Sequence, residues 1–306
     1  MKPLSMFVAR LVFCVSAGAA VLSASFSAHA ADPNFARTRY PIVLVHGLLG
    51  FSDIVGIDYF FRIPDDLRAN GATVLVAAVS AVNSPDVRGE QLLKQLKQWS
   101  AAGGYQKFNL VGHSLGGPTA RYVAGVAPGL VASVTTVGSP HDLSGGGGTA
   151  SPLNFVINSE ALAEFLGSTV GFVSGHPELP QDQQALQAWA QDTPAFNARF
   201  PAGQPTAFCG QGAEVVNGIF FYSVTGNKPK TNILDLSDAL LVAERGFPGD
   251  GLVPVCAAHW GKVLRDDFPW NHLDEVNQLF GLRGLLAPDP VAFYRAQANR
   301  LKTKGL

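Results

Sequence analysis

"FNLVGHSLGGPTARYVAGV", residues 108 to 126, decides how this chain is read. An apolar run from Phe108 carries to Ser114, and a helical pattern begins at once on its far side. Gly112 and Gly116 stand two positions before and after the serine. A Cβ at either would clash with the facing backbone in so cramped a strand–turn–helix. The G-x-S-x-G pattern in this setting makes Ser114 a candidate nucleophile, with the amides of the following helix N-terminus aimed at a reacting carbonyl oxygen. A serine among glycines can also be a plain tight turn. The distinction rests on whether the rest of the chain supplies a base, an acid and a second oxyanion amide.

Outward from this stretch lie more short apolar, β-branched runs bounded by turn residues: "PIVLVHG" (41–47), "TVLVAAV" (73–79), "SVTTVGSP" (133–140) and "IFFYSVTG" (219–226). They do not alternate polar with apolar, which predicts strands buried on both faces of a parallel sheet. Helical patterns separate them. In "DVRGEQLLKQLKQWSAAGG", Leu92, Leu93, Leu96 and Trp99 form one stripe, and Gly103-Gly104 ends it. The alternation predicts a doubly wound α/β fold with a mostly parallel central sheet and helices on both faces; joined to the G-x-S-x-G elbow, it is expected to be of the α/β-hydrolase type, with a helical lid insertion. Two regions break the pattern. Residues 144 to 206 hold Gly145 to Gly148 and the apolar segment "LNFVINSEALAEFLGSTVGFV" (153–173), read either as a lid over Ser114 or as a core helix. Residues 227 to 272 read as loop-rich.

The first thirty residues have the layout of a secretory signal peptide. Lys2 and Arg10 precede "LVFCVSAGAAVL", and Ala28-His29-Ala30 forms the cleavage signal. The apolar run is shorter than the roughly 20 residues of a membrane span, so no stable membrane anchor is expected. Residues 31 to 306 then form a single catalytic domain, secreted through the periplasm to the exterior. Removing two basic residues leaves 20 against 23 acidic ones, and this balance offers no basic face for nucleic acid. Cys14 leaves with the signal. Cys209 and Cys256 remain, and in an oxidising compartment they are expected to form one disulfide.

The partners of Ser114 follow from chain order, since this fold runs serine, acid, histidine. "VHGLLG" (45–50) has the form of the second oxyanion loop, with the Leu48 amide opposite that of Leu115. His46 reads as a structural holder of that loop. Among later histidines, His141 follows the next strand too closely and His176 sits in a surface stretch. His259 reads as a packed or capping residue. His272, late in the chain on a loop before a helix, is the expected base. Asp250, between Gly249 and Gly251, is the expected acid; Asp235 is its rival but reads as a helix cap.

Assembled, these residues resemble the foldase-dependent triacylglycerol lipases of the Pseudomonas and Burkholderia type. The resemblance runs through "RYPIVLVHGLLGF", "RGEQLL", "NLVGHSLGGPTARYVA", "DGLVPVC", "NHLDEVNQLFGL" and "ANRLK". It implies Ser114 as nucleophile, Asp250 as acid, His272 as base, Leu48 and Leu115 as oxyanion amides, and a Cys209–Cys256 disulfide. It further implies one structural calcium ion held by carboxylates of Asp235 and Asp274 and backbone carbonyls of Gln278 and Leu282. The helix expected over "DEVNQLFGL" would set Asp274 and Gln278 on one face, loosening at Gly281 and Gly284 to free carbonyls. A membrane-anchored periplasmic foldase is the implied partner, with acylglycerol or another ester as substrate and the enzyme a monomer. The chain departs from many relatives at Leu115, which is apolar here, and most of all between 142 and about 195. The expected function is hydrolysis of water-insoluble acylglycerols through an acyl-serine. A short-chain carboxylesterase or polyester depolymerase would use the same triad, and a non-catalytic binding protein of this fold would lack a member of it.

Overall fold

The computed structural model of the chain describes residues 32–50, 53–54, 57–143, 153, 157–159, 176, 178–232 and 248–306. Two compact units divide the chain, Met1–Asp32 and Pro33–Leu306, and the account below concerns the second. The expected signal peptide, Asp235, the whole Gly145–Gly148 run and most of the apolar segment lie outside the described residues.

The strands are β1 (Ile42–Val45), β2 (Asp53–Ile54), β3 (Ile57–Asp58), β4 (Val74–Ala77), β5 (Phe108–His113), β6 (Val131–Val137), β7 (Val215–Val216), β8 (Ile219–Gly226) and β9 (Lys262–Phe268). β2 and β3 make a separate antiparallel ribbon. The others form one sheet in the order β4-β1-β5-β6-β8, with β7 and β9 both pairing with β8. All pairings in it are parallel except β7 with β8.

Successive strand residues face opposite ways, and the core divides accordingly. Ile42 and Leu44 pack toward helices α1 (Ile63–Ala69) and α7 (Pro290–Thr303). Val43 and Val45 pack toward α2 (Pro85–Gly103) and α3 (Gly116–Val126). Helices therefore cover both faces of a sheet with no polar side, as the unbroken apolar runs imply. Leu92, Leu93 and Leu96 of α2 are buried, each stabilising by about 1.5–3 kcal/mol. The helix stops at Gly104, whose φ of 67° suits the residue that ends it.

A third apolar cluster includes no strand residue. Leu115 and Val82 meet Leu186 and Trp189 of α4 (Gln183–Gln191), Phe196 of α5 (Thr193–Arg199), and Val253 and Ala257. It lies against the start of α3, where Ser114 emerges. Among the described residues, no helix is long and apolar enough to cross a membrane.

β9 corrects the reading of 227 to 272 as loop-rich. Its sequence, "KVLRDDF", carries four charges in seven residues and hides the strand. Such charge is tolerated because β9 pairs only with β8, at the sheet's edge.

Candidate active site

Ser114 stands at a strained turn between β5 and α3. It has φ 53°, a left-handed value that is costly for a residue with a side chain and persists only where the surroundings impose it. Its amide donates to the Val137 carbonyl (2.9 Å), and Gly117 N–H returns to its own carbonyl (3.0 Å). A Cβ on Gly112 would fall 2.3 Å from the Gly116 carbonyl, and one on Gly116 would fall 2.1 Å from Val45 O. Both glycines are therefore required by backbone contact.

The 46–50 loop crosses the serine. A Cβ on Gly47 would lie 2.6 Å from Ser114 Cβ and 3.1 Å from its Oγ. His46 holds this loop: its Nδ1–H donates to Gly47 O (3.0 Å), and its Nε2 accepts the Val79 amide (3.3 Å). Burial, aided by the charge of Arg88, lowers its pKa to about 3, so it is a neutral fixture. Arg88, itself buried, donates to His46 O (2.5 Å), to Ser80 O and to Thr119 Oγ1 (3.1 Å). With this bracing, Leu48 and Leu115 fall on either side of the serine, in the loop and at the helix N-cap. Their amides donate to no backbone carbonyl among the described loop contacts.

His272 and Asp250 meet as expected. His272 Nδ1–H donates to Asp250 Oδ2 at 2.7 Å, with both side chains buried. The other carboxylate oxygen accepts the amides of Leu252 and Val253, each at 2.8 Å, and Asp250 O accepts the His272 amide (2.8 Å). The imidazole is thereby held in the tautomer that leaves Nε2 as proton acceptor. The His272 ring lies 4.5 Å, centroid to centroid, from that of His113, the residue before Ser114. No hydrogen bond joins Ser114 to His272 in this conformation, a distance that commonly closes only with substrate bound. The Cys209–Cys256 disulfide is formed across a separation of 47 positions and ties the 3-10 turn that follows Asp250 (Val255–Ala258) to the loop before β7.

Two members of the site were not singled out in the sequence. Glu275 is fully buried three residues after His272, with Oε2 3.9 Å from His272 Nδ1. Its Oε1 accepts the Gly226 amide at 2.6 Å. His113 Nε2–H faces both Glu275 Oε2 (3.2 Å) and His272 O (3.0 Å), while its Nδ1 accepts the Tyr59 hydroxyl (2.7 Å). Burial, then the charge of Asp250, pushes the Glu275 carboxyl well above its ordinary range; burial and His272 hold His113 well below its own. Burial thus favours the protonated Glu275 carboxyl and the neutral His113 ring. Gly138 makes room for the two acids: a Cβ there would meet Glu275 Oε2 at 1.8 Å and Asp250 Oδ2 at 3.0 Å. The spacing of His113 within the strand and of Glu275 after His272 was the only available signal.

The other histidines stand elsewhere. His141 is buried between Arg121 (3.1 Å) and Thr136 (3.1 Å). His176 is half-buried beside Glu178. His259 binds the Gly210 carbonyl next to the disulfide (3.0 Å) and faces Asp266 (3.2 Å).

The expected calcium ligands are partly visible. The continuous helix over 274–282 does not form. Asp274–Val276 is a single 3-10 turn, Asn277 is left-handed at φ 58°, and a short helix α6 (Gln278–Gly281) follows. The break arises because Glu275 is drawn inward to Gly226 and the Asn277 side chain donates to Phe61 O (3.0 Å). Asp274 is buried, and its Oδ2 accepts the Asn271 amide (3.3 Å). The Gln278 side chain donates to the carbonyls of Asp58 and Tyr59, so any cation ligation at this residue would fall to an oxygen. The broken helix suits carbonyl ligation better than a continuous one. His113, His272 and Glu275 form a second buried group whose ligand atoms lie within 4.8 Å, spacing that could hold a metal. Its two nitrogens suit calcium poorly, and they are engaged in the contacts above.

The alpha/beta hydrolase fold family model matches residues 40–235. The chain is 48% identical to a triacylglycerol lipase of Vibrio cholerae over 92% of this chain and 94% of that protein. It is 39% identical to a triacylglycerol lipase of Burkholderia plantarii, over 95% and 94%. In structure it resembles the Staphylococcus hyicus lipase with a TM-score of 0.60 at 18% identity, covering 86% of this chain and 95% of that one. At that identity the likeness concerns the fold alone.

Proposed function

We propose, from the premise that the chain belongs to the bacterial triacylglycerol lipases of the alpha/beta hydrolase family, that it cleaves water-insoluble acylglycerols through an acyl-serine on Ser114. It is an ester hydrolase by that membership. The reading of the triad is carried by one observation: the buried 2.7 Å bond between His272 Nδ1 and Asp250 Oδ2, set beside the left-handed Ser114.

In this mechanism Ser114 Oγ attacks the ester carbonyl carbon while His272 Nε2 takes its proton. The amides of Leu48 and Leu115 stabilise the oxyanion, and Asp250 stabilises the imidazolium. The intermediate collapses to the acyl-serine, and the alcohol leaves with the proton from His272. Water, deprotonated by the same nitrogen, then releases the fatty acid and restores Ser114. In a folded Ser114→Ala protein, ester hydrolysis should fall to the residual level left by binding and the oxyanion amides; near wild-type turnover would discard the triad.

The same reading has residues 1–30 removed on export, a lid from about 144 to 206, and folding of the monomer in the periplasm with a membrane-anchored foldase. It also has Asp235, Asp274, Gln278 and Leu282 holding one calcium ion, which would fix the loop that carries His272. The support for calcium is the buried Asp274 carboxylate beside a broken helix. A carboxylesterase would use the same groups. Initial rates on p-nitrophenyl esters of rising chain length, with and without emulsified triglyceride, separate the two: a preference for short dissolved esters alone would favour the esterase.

A further inference from the structure

Leu285 and Leu286 are 92% and 94% exposed, and Phe280 beside them is 72% exposed. Large apolar side chains that free of the protein contribute nothing to its core. They occupy a tight turn in which Ala287 N–H donates to Gly284 O (3.0 Å). Leu286 stands at the third position with φ 67°, which glycine or asparagine adopts at least cost. Phe280 is left-handed too, at φ 60°. A sequence selected only for folding would put glycine and polar residues at these positions.

The turn is also held firmly. The Asn232 side chain donates to Arg283 O (2.9 Å), and the Arg283 guanidinium reaches Ala287 O (3.4 Å). Phe280 packs edge-on against Phe61 at 5.8 Å. The two leucines are thus presented at fixed positions, with no loop ordering left to be done on contact.

We propose that this turn is an anchor by which the enzyme docks on a lipid–water interface, inserting Leu285 and Leu286 with Phe280 behind them. Three features select a lipid surface over a shaped protein partner. The side chains project almost wholly into solvent, so they suit a deformable apolar phase. The bordering charges, Arg62, Asp65 and the Arg283–Asp289 pair (3.8 Å), are of both signs, as suits the headgroup level of a neutral surface. The turn also lies near the loop that carries His272: a Cβ on Gly284 would fall 3.2 Å from Thr231 O, and the Thr231 hydroxyl accepts from the side chain of Asn271 (3.4 Å), so insertion sets that loop close to the surface that holds the substrate. The proposal rests on the acylglycerol reading above.

The test measures binding without turnover. The full chain carrying Ser114→Ala is floated with phosphatidylcholine vesicles, alone and with Leu285→Ser and Leu286→Gly added. The added pair should lower partition by about tenfold or more, through loss of two inserted leucines. It should leave the melting temperature equal or higher, because glycine relieves the left-handed position. In the Ser114 enzyme, the same pair should leave hydrolysis of a dissolved short-chain ester unchanged. Unchanged partition overturns the anchor. So does a lower melting temperature, which would mean that the protein's own chain covers the leucines, or a shift from dimer to monomer with partition unaltered. Because binding is read on an inactive chain, failure to hydrolyse emulsified acylglycerol would refute the substrate reading and leave the anchor standing.

Discussion

Ser114 reaches its position within a few consecutive residues, whereas Asp250, His272 and Glu275 converge from segments that only the finished fold brings together. The serine side is governed by short-range sterics: Gly112 against Gly116, Gly116 against Val45, and a strand that turns directly into α3. The acid–base side depends on long-range tethers. These are the Asp250–His272 bonds, the Glu275 contact with Gly226 at the end of β8, and the Cys209–Cys256 bridge. A device built locally should fail locally when altered. One built from tethers should lose function in proportion to how many remain.

The largest effect falls where the two sides meet. His272→Ala removes the proposed proton acceptor and should lower kcat by about a millionfold, as damaging as losing the serine. His259→Ala removes a histidine that binds the Gly210 carbonyl and faces Asp266, away from Ser114, and steady-state rates should stay within about threefold of wild type. Comparable losses from both would mean that the base has been assigned to the wrong loop.

A graded loss is expected one step out. Asp250→Asn should cost less than the roughly ten-thousandfold typical of an unassisted acid, because Glu275 Oε2 stands 3.9 Å from the same imidazole nitrogen. Without the Asp250 charge, Glu275 ionises more readily and can hold His272 in its place. Adding Glu275→Gln should bring the double variant down toward His272→Ala. If Asp250→Asn alone is already that low, with melting unchanged, Glu275 supports structure and does not assist the base.

This contrast also explains what was readable from the chain. The five apolar strands, α2 with its leucine stripe, and the Ser114 turn each follow from rules acting over a few residues. The pairing of Asp250 with His272 was found through chain order and flanking glycines. Glu275 and His113 were missed because a buried titratable group and a surface one look alike in sequence, and only packing reveals which is which. The helix expected through Asp274 and Gln278 failed for the same reason: a long-range bond from Glu275 outweighed local periodicity. β9 was hidden because its charges lie on a sheet edge.

The proposed calcium ion gives a smaller and reversible test. Chelation should lower thermal stability and activity together, and added calcium should restore both. At a hundredfold excess over Kd, one ion stabilises by about 3 kcal/mol. Asp274→Asn should mimic chelation and abolish the response to added calcium, while the disulfide remains formed. Protein without calcium, with Asp274→Asn melting like wild type, would remove the ion from the acid–base side.

The smallest effect on activity belongs to the serine side and is read in stability. His46 is unprotonated in the fold down to about pH 3, because burial and Arg88 oppose its charge, while an unfolded histidine gains its proton near 6.5. Between those values the unfolded chain binds more protons. The His46 contribution is therefore fully present above 6.5 and lost as pH falls toward 3. His46→Gln should cost about 1–3 kcal/mol at neutral pH, through weakened bonds to Gly47 and Val79. Its stability should then decline less steeply than that of wild type as pH falls through the window, with turnover near neutrality little changed if glutamine still holds the loop. Urea melts at stepped pH measure this. Parallel declines would mean that His46 is protonated in the fold, and that the oxyanion loop is braced by Arg88 without it.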